Sequence, residues 1–223
     1  MIDNLALDDA VLDTQSSLSQ STSCEILTDI YNSHCNIAVW QRHQQLSFSQ
    51  AIAKDLQVNR LMDVNSQVRV DHIIEDIGEI AHDREYGEQL REYIAQSIDM
   101  FCLLFDCKKV GLRLTTLTQA MCPRFHVDKV PCRLVTTFAG AGTEWIAHEN
   151  VNRSKLGHGS GGKKDHASGL YSDASVIQQL QSGDVALLKG ETWYGNEGAG
   201  LVHRSPAINA EDPRLLLTID FVA

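Results

Sequence analysis

Residues 125–135 read FHVDKVPCRLV. On a strand, successive side chains point to opposite faces. His126 and Asp128 then share one face, and Phe125 and Val127 share the other. One face is apolar. The other carries an imidazole and a carboxylate, just ahead of a β-like run. The fold and the chemistry both turn on whether that polar face meets solvent or forms a site.

Working outward, the neighbouring segments keep the period of two. Val110, Leu112 and Leu114 alternate with Gly111, Arg113 and Thr115, which predicts a strand. Then follow MCPRFHVD, CRLVTTFAG, SGDVALLKGE, GLVHRS and RLLLTIDFV, short β-rich pieces punctuated by Gly, Pro and Asp. No helix-length periodic segment separates them. Many short strands without crossover helices predict an antiparallel sandwich or barrel, of which the jelly roll is one version. One segment breaks the pattern: HENVNRSKLGHGSGGKKDHASGLYSD, residues 148–173, is polar and glycine-rich. A loop this long is uncommon inside a compact domain unless it is functional or disordered. Its histidines, His148, His158 and His166, suit a solvated loop, a lid over the site or a second metal-binding tract.

Upstream the period changes. Residues 1–23 end in QSSLSQSTS and read as a loose tail. Ser47 and Gln50 in SFSQAIAKDL have capping-box spacing. Val70, Ile73, Ile74, Ile77, Ile80 and Ala81 recur at helical steps, as do Leu90, Ile94, Ile98, Phe101 and Phe105. The organisation expected is a flexible tail over 1–36, a helical segment over 37–108 and a β domain over 109–223.

Composition narrows the class. Of 223 residues, 43% are apolar and 22% charged, as in ordinary globular proteins. The net charge of −10 disfavours nucleic acid and anionic membranes as partners. No stretch approaches the ~20 apolar residues of a membrane span, and the acidic start lacks a secretory signal. A cytoplasmic location is expected. The cysteines at 24, 35, 102, 107, 122 and 132 form no CxxC and suit free thiols rather than a disulfide frame.

Two later features give the His126–Asp128 pair a chemical meaning. GLVHRSP places His203 in an apolar, β-like setting, and Arg214 opens the last strand eleven residues on. Two histidines and a carboxylate on one side of a metal form the facial triad of non-haem Fe(II) oxygenases. An arginine can grip a carboxylate by paired, charge-assisted bonds. The order HxD, distant His, then Arg resembles the 2-oxoglutarate/Fe(II)-dependent dioxygenase superfamily over residues 110–223. The resemblance implies an α+β chain, with an N-terminal helical segment packed on a C-terminal double-stranded β-helix, the jelly-roll or cupin-like barrel. It implies His126, Asp128 and His203 as metal ligands, Fe(II) and 2-oxoglutarate as cofactors, and Arg214 on the distal carboxylate of 2-oxoglutarate. Many members carry Ser or Thr two residues after that arginine, and this chain has Leu216. Arg124, two before His126, and Arg133 and Arg113 are therefore further candidates for the anion. Arg124 and Arg133 are equally suited to pairing with acidic side chains.

A closer resemblance, over MCPRFHVDKVPCRLVTTFAGAGTEWI with the SGDVALLKG and GLVHRSP segments, is to a bacterial family of uncharacterised domains sharing the CPRFHVD and GTEW stretches. That resemblance supplies no reaction and leaves open zinc in place of iron, or a role in zinc and metal homeostasis. Two rivals to the oxygenase thus stand: a cupin-like metalloprotein, suggested by SGDVALLKGE followed by a histidine, and a non-enzymatic metal-binding module. The substrate, a small molecule or a protein, and the oligomeric state are left open. Of the remaining residues, Trp145, Cys122 and Cys132 suit the core, Glu144 suits orienting a ligand imidazole, and Trp193 and Tyr194 suit a pocket wall.

Overall fold

The computed structural model of the chain describes residues 17–42, 47–58 and 60–222. Two sheets dominate it. Among the described residues the strands are β1 (Leu18–Ser21), β2 (Ile37–Trp40), β3 (Asp63–Arg69), β4 (Lys109–Leu117), β5 (Cys132–Ala139), β6 (Glu144–Ile146), β7 (Ile177–Gln179), β8 (Val185–Lys189), β9 (Val202–Arg204) and β10 (Arg214–Phe221). Seven form one sheet in the order β1-β2-β8-β5-β10-β4-β3, and three form a second, β7-β6-β9. Every pairing is antiparallel except β1 with β2. The helices are α1 (Ser49–Gln57), α2 (Ile73–Asp76), α3 (Gly87–Phe105) and α4 (Asp165–Ser168).

The larger sheet packs apolar side chains on one face throughout and on the other over β2, β5 and β8. One face presents Leu112 and Leu114 of β4 and Leu215, Leu217 and Ile219 of β10, packed in one cluster with Ile94, Ile98 and Phe101 of α3. This is the helix-on-sheet layer predicted by the 90–105 periodicity. The other face presents Ile37, Val39, Val135, Ala186 and Leu188, packed against Trp145, Leu180 and Leu201 on the small-sheet side. That accounts for the unbroken burial of VALLK in β8, because a strand covered on both faces loses its alternation.

Three expectations are corrected. Residues 18–36 are not a tail: β1 pairs with β2, and Leu27 and Ile30 of the 3-10 segment Cys24–Tyr31 are buried. Polar composition hid the strand, since LSQS offers one apolar residue to a half-covered edge. Residues 1–16 lie outside the described chain. The helical segment over 37–108 is interrupted by β2 and β3, and the 70–81 run yields only α2 flanked by turns. Gly78 follows at the helix end, and Ala81 takes the left-handed conformation at φ 50°. The Ser47–Gln50 capping box does not form, because α1 starts at Ser49 with Phe48 at its cap position and no side-chain cap bond. The sheet-rich, mixed character of the chain stands. No helix among the described residues is long and apolar enough to cross a membrane.

Phe138 joins the helices to the sheet. It is fully buried, with its ring centroid 5.3 Å from that of Tyr93 and 6.3 Å from that of Phe48. Phe138→Ala is expected to lower unfolding free energy by about 3–5 kcal/mol, the range for emptying a large aromatic site, measured by urea denaturation. A loss under about 1 kcal/mol would refute this packing.

Candidate metal centre

The HxD stretch is not a regular strand, yet it borrows the geometry of one. His126 and His203 form an antiparallel bridge, each N–H donating to the other's carbonyl at 3.0 Å. The segment thereby extends the small sheet past β9. Residues directly opposite in such a pair send their side chains to the same face, and the residue two further along joins them. The two imidazoles stand with ring centroids 4.6 Å apart. Asp128 Oδ1 lies 3.5 Å from His126 Nε2, and Oδ2 lies 3.5 Å from His203 Nε2.

Among the described residues, His126, Asp128 and His203 are the only three His, Cys, Asp or Glu side chains whose ligand atoms all lie within 4.8 Å of one another. The loop histidines 148, 158 and 166 form no such group. Two atoms bound to one ion at about 2.1 Å each are at most about 4.2 Å apart, so the 3.5 Å separations suit a shared cation. Tautomers agree with this. His126 Nδ1 lies 3.0 Å from the Arg124 carbonyl, and His203 Nδ1 lies 3.1 Å from the Leu201 carbonyl. A proton on each Nδ1 leaves each Nε2 lone pair for the cation.

Charge is organised around Asp128. Burial opposes its ionisation, and hydrogen bonds from His126 and His203 with the positive charge of Arg133 overcome that, holding it far below the usual carboxylate range. Arg133 Nη1 donates to Asp128 Oδ2 at 2.6 Å, while its Nε and Nη2 donate to the two Asp220 oxygens at 2.7 and 3.0 Å. The Asp128 carboxylate in turn raises the His126 pKa above the ordinary histidine value, against the effect of burial.

The arginines divide the work. Arg133 holds the triad carboxylate. Arg124 reaches the long loop, donating to Ser160 Oγ at 3.0 Å and to the Lys163 carbonyl, and it lines one cavity together with His126. Arg113 donates to Thr115 Oγ1 at 3.1 Å and borders a cavity of about 260 Å³ that Arg133 also lines. Arg214 is 1% exposed, and no acidic side chain among the described residues pairs with it. Its guanidinium donates to the hydroxyls of Thr137, at 2.9 and 3.2 Å, and Thr143, at 2.7 Å. Burial lowers its pKa to about 10. Gly140 lets this strand end in, since with φ +82° a Cβ there would meet the Pro213 carbonyl at 2.9 Å. A register shift between Leu215 and Leu216 against β5 aims Thr137 toward the arginine.

Sequence reasoning missed Thr137, Thr143 and Asp220, which lie far along the chain from their partners. Glu144 does not orient an imidazole: it accepts from Arg204 Nε at 2.6 Å, on the face opposite His203. Trp145 is core. Trp193 packs on Tyr31 and Phe105 rather than lining the site, and Tyr194 is 96% exposed. All six cysteines are free, with Cys132 buried and Cys122 exposed.

The chain's family model decides one point of identity. It matches residues 21–220. The chain belongs to the family described as protein of unknown function DUF1826. No curated protein matches it in sequence. In structure it is similar to a prolyl-4-hydroxylase from Pseudomonas putida, at 11% identity and TM-score 0.46, over 88% of this chain and 96% of that one. It is also similar to HygX from Streptomyces hygroscopicus, solved with nickel and 2-oxoglutarate bound, at 11% identity and TM-score 0.41, over 89% and 86% of the two chains. A cupin protein from Bacteroides fragilis matches at 16% identity and TM-score 0.27, over 51% of this chain and 66% of that one.

Two outcomes follow from the geometry. A cation and a proton compete for His126, so zinc or iron affinity falls as pH drops through the raised His126 value; titration calorimetry from pH 8 to 6 reads it. Without metal the sign is opposite. The raised value means the His126–Asp128 contribution to stability is whole below the ordinary histidine value of 6.5 and lost as pH rises through the folded value. Second, Arg133→Met is expected to weaken metal binding about 10–100-fold, the usual effect of removing a group that orients a ligand. Unchanged affinity would show that Arg133 does not position Asp128.

Proposed function

We propose that the two sheets form a double-stranded β-helix and that the protein is a mononuclear Fe(II)/2-oxoglutarate-dependent oxygenase. One observation carries the reading. A two-histidine, one-carboxylate set converges with both Nε2 atoms turned to the carboxylate, in a chain that also buries Arg214 without an acidic partner. The donor set suits Fe(II), and the open side of such a triad is where a keto acid and O₂ are taken.

His126, Asp128 and His203 would hold the iron. Bound there, it supplies the oxidising chemistry, in which 2-oxoglutarate and O₂ give succinate and CO₂ and one oxygen atom enters the substrate. The chain's own groups do the rest. The Arg124 and Leu201 carbonyls fix the imidazole tautomers. Arg133 presents Asp128 as a carboxylate and, through Asp220, ties it to β10. Arg214 grips the distal carboxylate of 2-oxoglutarate, and the hydroxyls of Thr137 and Thr143 hold the guanidinium's plane for that contact. They take the place of the Ser or Thr that residue 216 lacks. Trp145, Leu201 and Leu188 fill the space between the sheets and keep water out of it.

Zinc fits the same three donors. A zinc-binding module without turnover differs from the oxygenase in having no use for Arg214. Anaerobic protein with Fe(II) and 2-oxoglutarate is expected to develop a weak visible charge-transfer band and, with O₂ and substrate, to release succinate. Arg214→Met should weaken 2-oxoglutarate binding at least tenfold, since hydrogen bonds to charged groups contribute about 1.5–3 kcal/mol. Binding that survives the substitution would remove the co-substrate assignment.

A further inference from the structure

We infer that the groove under the 155–166 loop binds a small multivalent anion bearing phosphate or carboxylate groups. Resting on the oxygenase reading, that anion is the substrate.

The polar, glycine-rich loop has local structure. Short 3-10 turns over Arg153–Lys155 and Gly157–Ser160 lead into α4, and Leu170 packs with Phe125, Ile146 and Val202 on the outer face of the small sheet. Beneath it lies a cavity of about 610 Å³ whose wall includes His126. A second, of about 340 Å³, adjoins it and shares Arg124, Gly162 and Asp165. The larger volume falls in the range of about 300–1,000 Å³ typical of metabolite sites.

The groove's charge runs against that of the chain. The whole protein carries −10, yet the groove is lined by Arg124, Lys155, Lys164, Arg204 and His158, with Asp165 as the acid among them. Asp165 is already engaged. Its Oδ2 accepts from the Phe125 N–H at 3.0 Å and from Arg204 at 3.2 Å. Arg204 is matched further by Glu144. Arg124 gives its short hydrogen bonds to the neutral Ser160 hydroxyl and Lys163 carbonyl, and its one acidic neighbour among the described residues is Asp165 Oδ1, at 3.7 Å. Lys155 and Lys164 have no acidic side chain within ion-pair distance among the described residues, and Lys155 is half-buried. Like charges held together repel one another, and a bound anion relieves that repulsion. Gly161 and Gly162 leave open space where a Cβ would stand, so the anion can approach the backbone. His126 is the member of the triad that lines this wall, so an anion seated there meets the triad at that residue.

The test uses the full chain, stripped of metal by chelator and dialysis. Pyrophosphate and citrate, one probe for each anionic group, are titrated calorimetrically at low salt. At least one should bind, and the one that does names the group. Lys155→Ala with Lys164→Ala should weaken it at least tenfold with an unchanged circular dichroism spectrum. Lys54→Ala on α1 should leave it as it was. If the double variant does not fold, Lys155→Met alone, which keeps the aliphatic stem, is read in the same way. No binding by either probe, or wild-type affinity in the lysine variants, overturns the groove. Because no metal is present, the result stands apart from the oxygenase reading: anion binding without Fe(II) and 2-oxoglutarate uptake sinks only the latter.

Discussion

The reciprocal pair of backbone hydrogen bonds between His126 and His203 is the constraint on which the candidate centre depends. It joins residues 77 positions apart, and it does so through peptide groups, whose geometry tolerates little variation. Once the two residues are opposite each other, their imidazoles share a face, and Asp128 meets both there at 3.5 Å. A slip of one residue would turn His203 to the outer face and bring Val202 or Arg204 in. The small sheet is held against that slip from both sides: Trp145, opposite His203 on β6, packs between the sheets, while Val202 and Phe125 pack under the long loop.

Electrostatics then gives the three groups different tasks. Asp128 stays ionised in a largely buried place because His126, His203 and Arg133 all favour its charge. Arg133 is itself fastened to Asp220, so the carboxylate is held by a fork anchored on β10. Arg214, on the other end of the same strand, is the reverse case. It is a buried cation satisfied by neutral hydroxyls alone, and burying a charge without a counter-charge is costly. A single strand thus braces the triad at one end and presents an unmatched positive charge at the other.

Legibility along the chain tracked how local the cause was. Helix α3 was readable because its apolar stripe repeats over five turns, and β4, β5, β8 and β10 because apolar runs bounded by Gly, Pro or Asp have few other solutions. Strand β1 was not, since LSQS pairs through its backbone and hides among polar neighbours. The sequence left the 148–173 loop open between several roles because its order comes from distant partners: Arg204 on Asp165, Arg124 on Ser160, and the Gly200 carbonyl on Arg153. The same holds for Glu144, placed by sequence beside the imidazoles and by pairing register on the opposite face.

By itself the sequence determined the chemical inventory and its local geometry: a histidine and an aspartate two apart, a second histidine in an apolar run, an arginine opening the last strand, and the period of each segment. Those are consequences of alternation along a single backbone. What only the tertiary structure decided is which of these groups meet. Convergence depends on strand order and register, and these are set by long-range hydrogen bonds and by burial on both faces of the sheets. So the fold gave Arg133 to Asp128, Arg124 to the loop, and Arg214 to two threonines more than seventy residues away.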